Sequence, residues 1–145
     1  MNHALASLAR RDHSRNELKL KLLAKGHEAL EIERVLDECE AKGYLNDSRY
    51  GASVVRSSVL KGHGAARARQ AMIAKGLDKE VIQTNLEGCD VDWYAQARAK
   101  ALKKFGATKP VDAKDRAKRI RYLAGQGFSF DEISHALDFD PYDMD

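Results

Sequence analysis

A chain of 145 residues, 43% hydrophobic and 32% charged, suits a soluble helical protein, and its two prolines leave few interruptions to helix. No apolar run approaches the roughly 18 to 20 residues that a membrane helix needs, and Met1 to Arg11 lacks the long apolar region of a secretory signal. No membrane partner is therefore expected, the cytoplasm is the expected compartment, and the net charge of +3 is too small to name a partner by itself.

In chain order, Asn2 to Arg11 puts Leu5 and Leu8 on one helical face, and His13 with Ser14 interrupts it. Ser14 and Glu17 have the spacing of a capping box that starts a second helix. That helix has Leu18, Leu22 and Leu23 as its inward stripe and ends at Gly26, which can take the left-handed conformation. A third helix from about Glu28 to Lys42 turns Ile32, Val35, Leu36 and Cys39 inward. Asn46 or Asp47 then caps a long helix, with Tyr44 or Leu45 packing ahead of it, that carries Tyr50, Val54, Val55 and Val59 to a break at Gly62-His63-Gly64.

From Ala65 to Lys75 the inward residues are Ala68, Met72 and Ile73, and Asp78 caps a helix with Val81, Ile82, Leu86 and Cys89 on one face. After Gly88 to Asp92, the next helix holds Trp93, Ala97, Ala101, Leu102 and Phe105. A spacer, Gly106 to Val111, leads to a densely basic helix over Lys114 to Leu123. Arg119 there stands where the earlier helices have Leu18 and Ala68, so the inward stripe is expected to shift to Ile120, Leu123 and Ala124. A capping box from Ser129 to Glu132 opens the last helix, which ends near Leu137.

One grammar recurs three times. Six residues after Gly26, Gly76 and Gly127 come Ile32, Ile82 and Ile133, and ten after them come Leu36, Leu86 and Leu137. The anchors are about 50 residues apart, long enough for three helices per repeat. Repeats of this length point to an all-α fold, an elongated tandem array whose members lean on their neighbours and whose second and third helices form a helix-turn-helix-like pair. The boundaries read as repeats 1–43, 44–88 and 89–138, with an acidic tail at 139–145.

Charge alternates in step with the repeat: segments ending at Gly26, Tyr50, Gly76, Ala97, Arg121 and Asp145 carry +4, −4, +5, −4, +8 and −6. Each repeat is basic up to its middle helix and acidic in its last, which predicts a basic ridge separated from an acidic one. Candidate contacts on the ridge are Arg15, Lys19, Lys25, Arg67, Arg69, Lys75, Lys114, Lys118 and Arg121, with Arg67 and Arg69 central.

No catalytic constellation emerges. Cys39 and Cys89 occupy equivalent positions thirteen residues after their anchors, which favours a buried helix face over a disulfide or zinc site. His3, His13, His27, His63 and His135 show no paired ligand spacing, and His13 and His63 are repeat equivalents with an expected structural role. Gly62, Gly64 and Arg67 mimic a fragment of a phosphate loop, but the third glycine is missing and a helix precedes it. No cofactor or metal is expected. A helix-turn-helix reading, strongest over Leu123 to Leu137, is the main alternative and would make the chain a DNA-binding protein in its own right. Charge opposes it, because Glu28, Glu31, Glu33, Asp37, Glu38 and Glu40 would face phosphates from the first repeat's third helix.

The stretch Lys42-Gly43-Tyr44-Leu45-Asn46-Asp47-Ser48-Arg49-Tyr50 resembles the hallmark of the bacterial RecX regulatory family. Arg10-Arg11-Asp12-His13-Ser14, Lys61-Gly62-His63-Gly64 and Lys75-Gly76-Leu77 do so too, and the resemblance runs from about Ala4 to Leu137. It implies a curved array of three-helix repeats, not an enzyme. It further implies a monomer that binds the RecA filament along its groove and restrains strand exchange, ATP hydrolysis and LexA cleavage. Single- and double-stranded DNA would be bound weakly and without sequence preference.

Overall fold

A computed structural model of the chain describes residues 1–138; the expected acidic tail lies outside them. Among the described residues there are nine helices and no strand: α1 (Asn2–Arg10), α2 (Arg15–Ala24), α3 (Ala29–Ala41), α4 (Asp47–Leu60), α5 (Ala65–Ala74), α6 (Lys79–Gly88), α7 (Trp93–Phe105), α8 (Ala113–Gly125) and α9 (Phe130–Asp138). The fold is all-α. Two compact units form: residues 1–54 with 71–88, and residues 55–70 with the chain from 89 onward.

The local chemistry that starts and stops the helices repeats closely. Ser14 accepts from the Glu17 amide while the Glu17 carboxylate accepts from the Ser14 amide, and Ser129 and Glu132 do the same before α9. Asn46 accepts from the Arg49 amide ahead of α4, and Leu45, rather than the half-exposed Tyr44, is the buried residue beside it. At the other ends, Gly26, Gly76 and Gly127 take φ of 87°, 76° and 98°. The residue after each donates back to Leu22, Met72 or Leu123, closing one Schellman turn three times over.

In the first unit Ala4, Leu18, Leu22, Ile32, Leu36, Cys39 and Leu45 form one buried cluster, with Met1, Leu8 and Val35 against it. Tyr50, Met72, Leu77 and Ile82 are buried in the same unit. The second unit buries Ala97, Ala101, Leu123, Phe128, Ile133 and Leu137, backed by Phe105, Ile120, Tyr122 and Ala136. Ile32, Ile82 and Ile133 are each no more than 3% exposed.

Several expected inward residues instead face outward. Leu23, Ile73, Leu102 and Ala124 are exposed, as is Leu5 on α1, where Ala4 and Ser7 are buried instead. Leu18 and Leu22, like Ala68 and Met72, sit four apart on the stripe that is buried; the next residue along turns about 100° away from it. Arg119 overturns an expectation more sharply. It stays at the interior position, 7% exposed, and the stripe does not shift. Its Nη1 donates to the Thr108 carbonyl at 2.7 Å, its Nη2 pairs with Asp115 at 3.1 Å, and the guanidinium lies 4.9 Å from the Phe105 ring centroid. The spacer supplies that carbonyl, so an arginine can replace an apolar residue without losing all of its polar partners. α6 ends at Gly88, leaving Cys89 half-buried beyond the helix, whereas Cys39 is inside α3 and fully buried.

The ends of the middle helices meet. In the first unit the Ser14 hydroxyl, at the start of α2, donates to the Lys75 carbonyl at the end of α5, at 2.5 Å. In the second unit the Gly64 and Ala66 amides, at the start of α5, donate to the carbonyls of Gln126 and Gly127 after α8, at 2.8 and 3.1 Å. Ser14 and Gly64 are repeat equivalents, as are Lys75 and Gln126. Donors at one helix start, a hydroxyl in the first junction and backbone amides in the second, thus satisfy acceptors left over at another helix end, and the facing dipole ends attract.

His13 borders the first of these junctions and is buried. Its Nδ1 is 3.1 Å from the Arg11 carbonyl and its Nε2 is 3.2 Å from Lys21 Nζ. A carbonyl only accepts and an ammonium only donates, so the ring is neutral with its proton on Nδ1. Burial holds its pKa below the ordinary 6.5; the Arg11 carbonyl pulls upward, the charges of Arg11 and Lys21 push further down, and Glu17 opposes them.

A Cβ at Gly64 would collide with the backbone carbonyl of Gly127, whereas one at Gly88 meets nothing within 4 Å. Gly64→Ala should therefore destabilise the protein by roughly 2 kcal/mol or more in urea unfolding, and Gly88→Ala should be neutral or stabilising by up to about 1 kcal/mol. For His13 the unfolded chain takes the proton first, so its contribution is complete above pH 6.5 and is lost as pH falls below that value. Thermal melting of His13→Gln should lose part of the wild-type decline between pH 7 and pH 5.

Candidate nucleic-acid interface

In the first repeat the acids of α3 are placed to receive the cations of α2. Glu33, Asp37 and Glu40 lie at i, i+4 and i+7, which makes one stripe on the helix. Arg15 opens α2 immediately after the Ser14 cap and faces that stripe. Its Nη2 is 2.7 Å from Glu33 and 2.9 Å from Asp37, and its Nη1 is 2.8 Å from Glu40. Lys19 Nζ adds an ion pair to Glu33 at 3.2 Å, and the Arg15 backbone amide donates to Asp47 at 2.7 Å.

Partial burial would lower the Arg15 pKa, but Glu40, Glu33 and Asp37 outweigh it and hold the guanidinium above its usual range. Glu33 is held below the ordinary carboxylate value by Arg15 and then Lys19. The two signs are therefore interleaved across the α2–α3 seam. The expected separation into two ridges fails here, because Arg15 and Lys19, four residues apart on α2, face the acids of the neighbouring helix within ion-pair distance. Lys25 remains exposed at the end of α2, and Lys75 Nζ is 4.0 Å from Glu17.

In the second unit Arg67 is tied to the fold. Its Nη1 donates to the Gly125 carbonyl at 3.0 Å, and its backbone nitrogen and Cγ would each lie 2.6 Å from a Cβ at Gly127. Arg67 thus holds the junction between α5 and the end of α8, and Arg69 is half-buried on the same helix. Replacing the first disturbs packing as well as charge.

The third repeat differs. Lys114, Lys118 and Arg121 lie at i, i+4 and i+7 of α8 and are all exposed. The nearby carboxylates are engaged elsewhere: Asp115 with Arg119 and the Val111 amide, and Asp138 with Arg116 at 2.9 Å. Both acids titrate below the ordinary aspartate value against the opposing effect of burial, Asp115 through the Val111 amide first and Asp138 through Arg116 first. Lys103, Lys104 and Lys109 add exposed cations before α8, and Lys104 Nζ sits 5.0 Å from the centroid of Tyr122. Sequence reasoning passes over these three although they lie within the +8 segment, since net charge alone does not say which cations lack acidic neighbours.

The α8–α9 pair has helix-turn-helix form around Gly127, but Asp131 and Glu132 occupy the first turn of α9. A phosphate approaching that end would meet two carboxylates. His3 Nδ1 and His27 Nε2 come within 2.7 Å although their spacing carries no local signal. Among the described residues no group of three His, Cys, Asp or Glu is placed to hold a metal ion, and no helix is long and apolar enough to cross a membrane.

Comparison with known proteins places these elements in a family. The first, second and third three-helix domains described for RecX match residues 1–39, 46–86 and 90–137. The chain is 45% identical over 121 residues to "Regulatory protein RecX" of Shewanella oneidensis, covering 74% of this chain and 95% of the relative. It is 42% identical over 140 residues to the protein of the same name from Vibrio campbellii, covering 97% and 90%. A crystal structure of RecX from Lactobacillus salivarius shares the fold at a TM-score of 0.80 and 21% identity, over 93% of this chain and 90% of that one.

The Arg15 cluster and the α8 stripe should separate in experiment. Arg15→Met should lower stability by about 1 kcal/mol in urea unfolding and lessen its sensitivity to salt, while leaving affinity for an oligothymidylate within about twofold.

Proposed function

The chain belongs to the RecX family, and on that premise we propose that it binds the RecA–DNA filament along its groove and restrains the recombinase, ATPase and LexA-coprotease activities of RecA. The observation that carries the electrostatic part of this reading is the outward stripe of Lys114, Lys118 and Arg121, whose neighbouring acids are paired with other residues. Three exposed cations along one face of α8, with no ion pair closer than 4 Å among the described residues, suit a phosphate backbone and supply affinity without reading bases. Binding to single- or double-stranded DNA is accordingly weak, salt-sensitive and tolerant of sequence.

The three repeats, 1–43, 44–88 and 89–138, act as successive binding modules in this reading, and the protein works as a cytoplasmic monomer without a cofactor or a catalytic step. Lys25, Arg69 and Lys75 remain secondary candidates on the same middle helices. Arg15, Lys19 and Arg67 serve chiefly to hold the fold that presents them. The alternative, a helix-turn-helix protein acting on DNA alone, is weakened by Asp131 and Glu132 at the start of α9.

The test is the ATPase of RecA on single-stranded DNA. Lys114→Glu, Lys118→Glu and Arg121→Glu combined should raise the concentration needed for half inhibition at least tenfold with helix content unchanged. The same change should flatten the salt dependence of oligothymidylate binding, by about 0.7 in log–log slope for each phosphate that the variant no longer neutralises. Inhibition at wild-type concentrations by the folded triple variant would remove α8 from the interface.

A further inference from the structure

A cavity of about 40 Å³ in the second unit gathers three cations. Its walls include Arg98 from α7, Lys109 from the spacer and Arg119 from α8, with Leu102 and Leu137 as apolar walls and the backbone of Gly106 to Thr108 along one side. Among the described residues no carboxylate lines it. Arg119 is the unusual member. Its side chain is 9% exposed, it stands where the first two repeats bury Leu18 and Ala68, and its Nε is buried without a hydrogen-bond partner.

A guanidinium set into an apolar repeat position costs desolvation, and an unmatched donor adds to that cost. Asp115 and the Thr108 carbonyl take one N–H each of Nη2 and Nη1, which leaves the Nε N–H and the second N–H of each terminal nitrogen beside an opening whose described lining carries no carboxylate. Arginine suits this role because its planar fork can hold the fold through one N–H of each terminal nitrogen and keep the remaining N–H groups for a second acceptor. The opening has room for a small oxyanion head.

We propose that this cavity is a binding site for a tetrahedral oxyanion of the phosphate class, held by Arg119, Arg98 and Lys109. The spacer between α7 and α8, which the other repeats lack, builds one wall of the site. The anion comes either as free orthophosphate or as a phosphate group of a nucleic-acid strand. The site is independent of how the protein acts on RecA, since it needs only the geometry of the third repeat.

Titration calorimetry of the full chain with sodium orthophosphate at constant ionic strength tests it. The wild type should bind one equivalent saturably. Arg119→Leu, which restores the residue type of the first repeat, should remain folded by circular dichroism and weaken binding at least tenfold, and Lys109→Gln should weaken it several-fold without touching the interior. Oligothymidylate with and without a 5′-phosphate forms the second arm. If orthophosphate fails to bind but Lys109→Gln and Arg119→Leu both reduce oligonucleotide affinity, the site is supplied by nucleic acid alone and the proposal holds. Absence of saturable orthophosphate binding together with unchanged oligonucleotide affinity in both variants would overturn it, as would orthophosphate binding that both variants retain in full.

Discussion

The fold depends on the meeting of middle-helix ends. Every helix finishes with carbonyls that lack an intrahelical donor and begins with amides that lack an acceptor. Here the Ser14 hydroxyl satisfies the Lys75 carbonyl while the Ser14 and Arg15 amides go to Glu17 and Asp47, and at the second junction the Gly64 and Ala66 amides meet the Gln126 and Gly127 carbonyls directly, so the two deficits cancel there. The glycines follow from this. Gly127 turns the chain so that its carbonyl faces α5, and Gly64 has no side chain that would keep the two backbones apart. Ile32, Leu36, Ile82, Ile133 and Leu137 of the third helices are buried and provide apolar area, which a repeat of about 50 residues could not supply in isolation.

The same geometry decides what the charges do. Because α2 and α3 lie side by side, the cations of one face the acids of the other, and Arg15 becomes a tie with three carboxylates around it. Arg67 becomes a tie of a different sort, to the carbonyl of Gly125. On α8, where Asp115 and Asp138 already have arginine partners, a line of exposed cations faces outward. Such a line attracts a polyanion over long range without reading bases.

Much was legible from local signals. The capping boxes at Ser14 and Ser129 and the anchor glycines formed as their spacing required, because each depends on residues within four or five positions of one another. The buried stripe was legible at Leu18, Leu22, Ile32 and Leu36 but overextended at Leu23 and Ile73, where a helix of small diameter buries a narrower face than its apolar residues could fill. Arg119 was illegible for a different reason. A charged residue at an interior position looks like a break in the pattern until the spacer is seen to bring the Thr108 carbonyl, eleven residues away, within 2.7 Å. The approach of His3 to His27 and the ion cluster around Arg15 had no local signal at all.

By itself, then, the order of residues determined the helices, their caps, the threefold repeat and the family, since all of these rest on short-range hydrogen bonding and on a period that runs along the chain. Tertiary structure alone decided which cations are ties and which face outward. The physical reason is that charge is fixed along the chain but compensated through space: a lysine or arginine is neutralised by whichever carboxylate the packing brings within about 3 Å, and that distance is set by the junctions between helix ends rather than by separation in sequence.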